Sequence, residues 1–166
     1  MILIGRFDMP PIDHLHIIRE IYESNLTMEG LLEKAKGWAN DLGVRKFFID
    51  PKEEDLIAWL RRRRVFAVAS SDNEKMAISL IRKRQESQNQ CTATTKEERL
   101  LHPGGMTVAK ECPEIAKEFQ KFHIQGQTKG GIFRDRPVDA DNYALTALHY
   151  LVLGVANERT PSTRWI

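Results

Sequence analysis

The chain is poor in the residues that announce a chemistry at once. It has only two cysteines, Cys91 and Cys112, in 166 residues. They lack the paired spacing of a thiolate metal site, and two thiols cannot staple a small secreted scaffold. Both are read as free thiols of a reducing compartment. No apolar run approaches the ~20 residues that cross a bilayer. The first residues show no basic region followed by an apolar stretch and a cleavage site, so no secretory leader is expected. No G-x-x-x-x-G-K-S/T stretch occurs, which leaves out an ATP-driven motor of the P-loop type. The three glycines of 125–137 (QGQTKGGIFRDRP) lack the spacing of a phosphate-binding loop. A net charge of +2 permits a nucleic-acid partner without demanding one,.

What the chain does have is one stretch around which the rest is arranged, Lys46-Phe47-Phe48-Ile49-Asp50-Pro51. A run apolar on both faces predicts a central strand of a covered sheet. It ends in a single carboxylate, at the end of the strand where open α/β sheets hold their ligands. Pro51 stops the strand and suits a helical first turn, and Glu53, Glu54 and Asp55 suit the positive end of a helix dipole,. Two readings of Asp50 fit this pattern equally: a helix cap or a functional acid.

Around this stretch the pattern predicts a β-hairpin over 1–26, with a turn at 8–13. His14 and His16 share one parity of the second strand, and are read as solvent-facing rather than as a metal pair. Glu20, on the same strand, is a site candidate because that strand is expected beside the one ending in Asp50. A helix over 27–42 follows, with Thr27 as its cap and Gly43 at its end. Next come a helix over 53–63, a short strand over 65–69 and a helix over 74–88. Strand, helix and strand joined by short links imply a right-handed crossover and parallel pairing.

Residues 90–105 read as a loop, 106–109 as a short strand and 114–122 as a helix. The last helix is expected to begin at 139–142, with Asp139 as its cap and Asp141 in its first turn. Residues 159–166 read as a frayed tail. Arg61-Arg62-Arg63-Arg64 is a single dense basic block. It either complements a helix C-terminus or forks onto phosphates, together with Lys129 and Arg134 from the later loop.

Four pieces in this order carry a resemblance: HLHIIREIYESNLTMEGLLEKAKGWA, KFFIDPKEEDLIAWLRR, ECPEIAKEFQKF and RPVDADNYALTALHYLVLG. Together they resemble the nuclease domain of phage terminase large subunits. The resemblance implies an α/β fold, an RNase H-like mixed β-sheet flanked by helices, over 1–158. It implies a metal-dependent endonuclease that cuts double-stranded DNA in a bacterial host's cytoplasm during packaging, with portal and small terminase subunits as partners. It implies Mg²⁺ or Mn²⁺, hard cations suited to carboxylate ligands, in a two-metal hydrolysis of the phosphodiester.

By position, Asp50 corresponds to the family's second acid, and Asp141, with Asp139 nearby, to the acid of the closing helix. Asp50 and Asp141 are thereby the implied metal ligands. Two departures stand out. The family's first acid lies on a strand ahead of the hairpin, which implies a chain shortened at its amino end; Asp8 is near but does not match the motif. Where the family often has His and then Asp in the closing helix, this chain has Tyr143 and Thr146. These departures motivate an alternative: a non-catalytic module of the same fold that binds DNA or a portal partner.

Overall fold

The computed structural model describes residues 2–7, 13–125 and 142–159. In chain order the elements are β1 (Ile2–Phe7), β2 (Leu15–Ile21), α1 (Met28–Leu42), β3 (Phe47–Ile49), α2 (Glu54–Arg62) and β4 (Ala67–Ala69). Then follow α3 (Glu74–Asn89), α4 (Lys96–Leu100), β5 (Met106–Val108), α5 (Pro113–Gln125) and α6 (Tyr143–Arg159). The protein is mixed α/β, and the described residues fall into two compact units, each built from discontinuous segments.

One unit takes residues 1–22 and 81–148. Its sheet has the order β1-β2-β5, with β2 antiparallel to β1 and parallel to β5. The hairpin expected at the amino end is present. The expected neighbour of β2 is not β3, however: both of its edges are taken, one by β1 and one by β5. Glu20 therefore does not lie on a strand hydrogen-bonded to that of Asp50.

Leu15 and Ile17 are fully buried among Met106, Cys112, Ile115, Ala144 and Leu148, the core of this unit. Each such side chain contributes about 1.5–3 kcal/mol by leaving water. His14 is also fully buried, against the expectation that it faces solvent. The cover comes from residues 102–107: His14 Nδ1 donates to the His102 carbonyl at 3.0 Å, and Nε2 bonds the Thr107 hydroxyl at 2.9 Å. His16 Nδ1 reaches the same hydroxyl at 2.8 Å, so the two histidines do share a face. Residues 90–105, read as a loop, contain α4. Its capping box joins the Thr95 hydroxyl to the Glu98 N–H and the Glu98 carboxylate to the Thr95 N–H,.

The other unit takes residues 23–80 and 149–166. β3 and β4 pair in parallel, as the crossover pattern requires, with Phe47 opposite Ala67 and Ile49 opposite Ala69; among the described residues they form a two-stranded sheet, so β3 is not the central strand that its apolar run predicts. Ala35 of α1, Ile57 and Leu60 of α2, Val65 and Ala67 form a buried cluster, with Leu32, Phe47, Ile49, Leu56 and Trp59 packed against it. The later part of α6 lies on β3. A Cβ added at Gly154 would overlap the Phe48 ring, so only glycine permits that approach.

The ends of α1 and α2 are instructive. Thr27 caps α1 as expected, accepting from the Gly30 N–H at 3.1 Å. Gly43 closes α1 in the left-handed region at φ 64°. α2 closes in the same way but with Arg64, at φ 65°. The Arg64 N–H returns to the Arg61 carbonyl and the Val65 N–H to the Leu60 carbonyl. This is the paired pattern of a Schellman end, which usually places glycine where Arg64 stands. Because Val65 is engaged in that closure, β4 starts two residues later than the sequence predicts.

α6 begins at Tyr143, not at 139. The Asn142 carbonyl accepts its first intrahelical bond, from the Thr146 N–H at 2.9 Å. Asp139 and Asp141 lie outside the described residues. An anionic partner of the first turn comes from α5: the Glu118 carboxylate accepts the Ala144 and Leu145 N–H groups at 3.1 and 2.9 Å,.

Candidate functional site

Parallel pairing sends both strands of β3-β4 out at one edge, where Asp50 follows Ile49 and Ser70 follows Ala69. The Ser70 N–H continues the ladder to the Ile49 carbonyl at 2.8 Å. Asp50 then turns the chain. Its Oδ1 accepts the Lys52 N–H at 2.9 Å, and its carbonyl accepts the Glu53 N–H at 3.0 Å. The helix proper starts only at Glu54, with Glu53 at the cap. Asp50 therefore shapes a turn ahead of α2 and is not its N-cap, while Pro51 belongs to that turn.

The Tyr150 hydroxyl of α6 also acts on Asp50, favouring its charged form. Burial opposes charge on Asp50. The Lys52 N–H, the Tyr150 hydroxyl and the Lys52 ammonium outweigh it, and its carboxyl lies below the ordinary value,. Asp50 is ionised at neutral pH. The Tyr150 hydroxyl is pushed up by burial first, then by Asp50 and by the charges of Asp72 and Glu53. Ser70 Oγ donates to the Tyr150 carbonyl at 2.7 Å, which ties this turn of α6 to the end of β4. Lys52 and Asp72 form an exposed ion pair at 3.6 Å.

The edge thus presents an ionised carboxylate at a strand end, with a phenol acting on it and Glu53 and Asp72 acting on the same phenol. Asp50 fits one oxygen position around a hard divalent cation. Among the described residues no group of three or more His, Cys, Asp or Glu side chains could hold a metal ion. Asp141, the second ligand implied by the resemblance, lies outside the described residues, as do Asp139, Lys129 and Arg134. Asp8 lies outside them too.

The remaining candidates have other surroundings. Glu20 is engaged at the start of α5, where its two oxygens accept the Glu114 and Ile115 N–H groups at 2.7 and 3.0 Å. A carboxylate so used is a tertiary helix cap. Arg61–Arg64 precede β4, whereas Asp50 follows β3; in a parallel pair these are opposite edges, about 10 Å of strand apart,. The arginines do not converge on Asp50.

Tyr150 and Glu118 were not singled out from the sequence. Tyr150 falls off the apolar stripe of α6, and a hydroxyl at such a place is a weak signal. Glu118 carried a stronger one: it sits in phase with Ile115, the buried face of α5, and a carboxylate there needs partners,. Compared with protein-family models, with curated proteins and with solved structures, the chain matches none. Among the described residues no helix is long and apolar enough to cross a membrane.

Proposed function

We propose that the chain is an RNase H-like nuclease domain of the phage terminase kind, cutting double-stranded DNA with Mg²⁺ or Mn²⁺. The observation that carries this reading is Asp50. It is an ionised carboxylate closing a parallel strand, with a phenol of the last helix acting on it. This is the position that the resemblance gives to the family's second acid. A bound divalent ion would supply an activated water and charge neutralisation at the phosphodiester.

The chain's own part is to hold ligands ready. The Lys52 N–H fixes one oxygen of Asp50, and Tyr150 favours its charged form. Asp141 is the second ligand on this reading, and Asp139 lies beside it. Portal and small terminase subunits are the partners it implies.

The test is cleavage of supercoiled plasmid by the full chain with Mn²⁺, beside Asp50→Asn and Asp141→Asn variants. Cutting by the native chain that is lost in both variants supports the reading. Cutting that survives Asp50→Asn sinks it. A second reading, a DNA- or portal-binding module without catalysis, is favoured by the separation of the arginines from Asp50. It is supported if the chain binds DNA and cuts none.

A further inference from the structure

The edge of β3-β4 opposite Asp50 carries cations that the nuclease reading does not use. Arg61, Arg62, Arg63 and Arg64 are all exposed. Two have partners: Arg61 Nε donates to the Ala67 carbonyl at 2.6 Å, and the Arg63 guanidinium stacks 3.9 Å from the centroid of the Trp59 ring. Lys46 lies 5.2 Å from the centroid of Phe66 and is paired with Glu158. The side chains of Arg62 and Arg64 have no hydrogen-bond or ion-pair partner among the described residues.

Two features go beyond a helix end complemented by cations. The first is Arg64 in the left-handed region, where α1 has Gly43. The helix dipole favours a cation in the last turn. It does not require one at the single position that glycine would occupy without strain. Strain held at a surface position points to use of its side chain. The second is Phe66, two residues on, which is 56% exposed although its carbonyl is locked to the Phe47 N–H at 2.9 Å. A large apolar ring on a fixed backbone is thereby presented beside the basic block.

We propose that this edge binds single-stranded nucleic acid, with Arg62 and Arg64 on successive phosphates and Phe66 stacked on an unpaired base. Guanidinium forks match phosphate oxygens. A duplex would also meet the arginines, but its base faces are hidden, and the exposed phenyl ring would gain nothing. A single strand offers both phosphates and base faces. The proposal does not rest on nuclease activity.

The test is fluorescence anisotropy of a labelled 20-nucleotide oligo-dT with the full chain in EDTA, beside a duplex of the same length. Metal removal separates binding from cutting, so failure of either proposal is seen on its own. Affinity for oligo-dT is expected to fall linearly with salt on logarithmic axes. Arg64→Gly is the informative variant, because glycine suits its backbone and folding is preserved, as circular dichroism will check. It should weaken oligo-dT binding about three- to tenfold and reduce the salt slope by about 0.7. Phe66→Ala should weaken oligo-dT about tenfold and leave duplex binding unchanged. Native affinity in an Arg62→Ala/Arg64→Gly double variant overturns the surface. A preference for duplex that Phe66→Ala does not alter overturns the single-strand assignment.

Discussion

The hydroxyl of Tyr150 and the carboxylate of Asp50 act on each other, so a side chain of α6 influences the strand end on which the functional reading rests. The interaction couples two titrations. It helps hold the Asp50 carboxyl below its ordinary value, and it helps push the Tyr150 hydroxyl above its own.

Removing the phenol by Tyr150→Phe should therefore let Asp50 titrate at higher pH. The sign follows from a lowered folded value: the contribution of Asp50 to stability is present above about 3.8, the ordinary value, and is lost as pH falls through the folded one,. The variant should lose about 0.5–1.5 kcal/mol near neutral pH and show a flatter acid limb. Carboxyl carbon NMR would follow Asp50 directly; an unchanged titration would rule out the interaction.

Glu118 is 5% exposed and accepts two N–H groups at the start of α6. Glu118→Ala leaves both donors without that acceptor and should cost about 2–3 kcal/mol in denaturant unfolding. Burial raises the Glu118 carboxyl, and the Leu145 and Ala144 N–H groups only partly offset it. A raised folded value means that its contribution is fullest below about 4.5 and declines as pH climbs through the folded value,. The native chain should show that decline and the variant should not.

Gly154 lies against the Phe48 ring. In an exposed helix Gly→Ala gains about 1 kcal/mol. Here the added methyl meets the ring near its root, and overpacking of this kind costs about 1–3 kcal/mol. Gly154→Ala should be net destabilising, and pairing it with Phe48→Ala should recover part of the loss. Additive effects in the double variant would place the two residues out of contact.

Arg64→Gly should act in the opposite direction. It removes a side chain from the left-handed position that closes α2 and should stabilise the fold by about 0.5–1 kcal/mol,. A drop in melting temperature would contradict the closure described for α2.

The two thiols should differ in reactivity. Cys112 is 1% exposed, and burial, with Glu20 and Glu111 adding to it, pushes its thiol up to about 11. Cys91 is half-buried and free. A thiol reagent at pH 8 should label Cys91 in the native chain and Cys112 only on unfolding. Equal rates would contradict the core described around Ile17.

Local pattern carried much of this fold. The apolar run before Asp50, the Thr27 cap, the Gly43 end and the crossover between β3 and β4 all depend on residues close in sequence. Each of them was legible. The errors fall where partners are distant. His14 alternates like a surface residue, yet residues 102–107 cover it. Glu118 lies far from α6 in sequence, yet it accepts N–H groups at the start of that helix.

The sequence by itself determined that this is a mixed α/β chain, that Asp50 closes a parallel strand, and that the arginines precede the next one. Spacing, turn residues and apolar period are short-range properties, and they settle such matters without help. Only the tertiary structure decided which carboxylates serve as helix ends and which is left at an open strand edge. Glu20 and Glu118 bind N–H groups of distant helices, while Asp50 faces solvent with a phenol at its side. Nothing in sequence spacing encodes that division, because a helix terminus takes whichever acceptor folding brings to it.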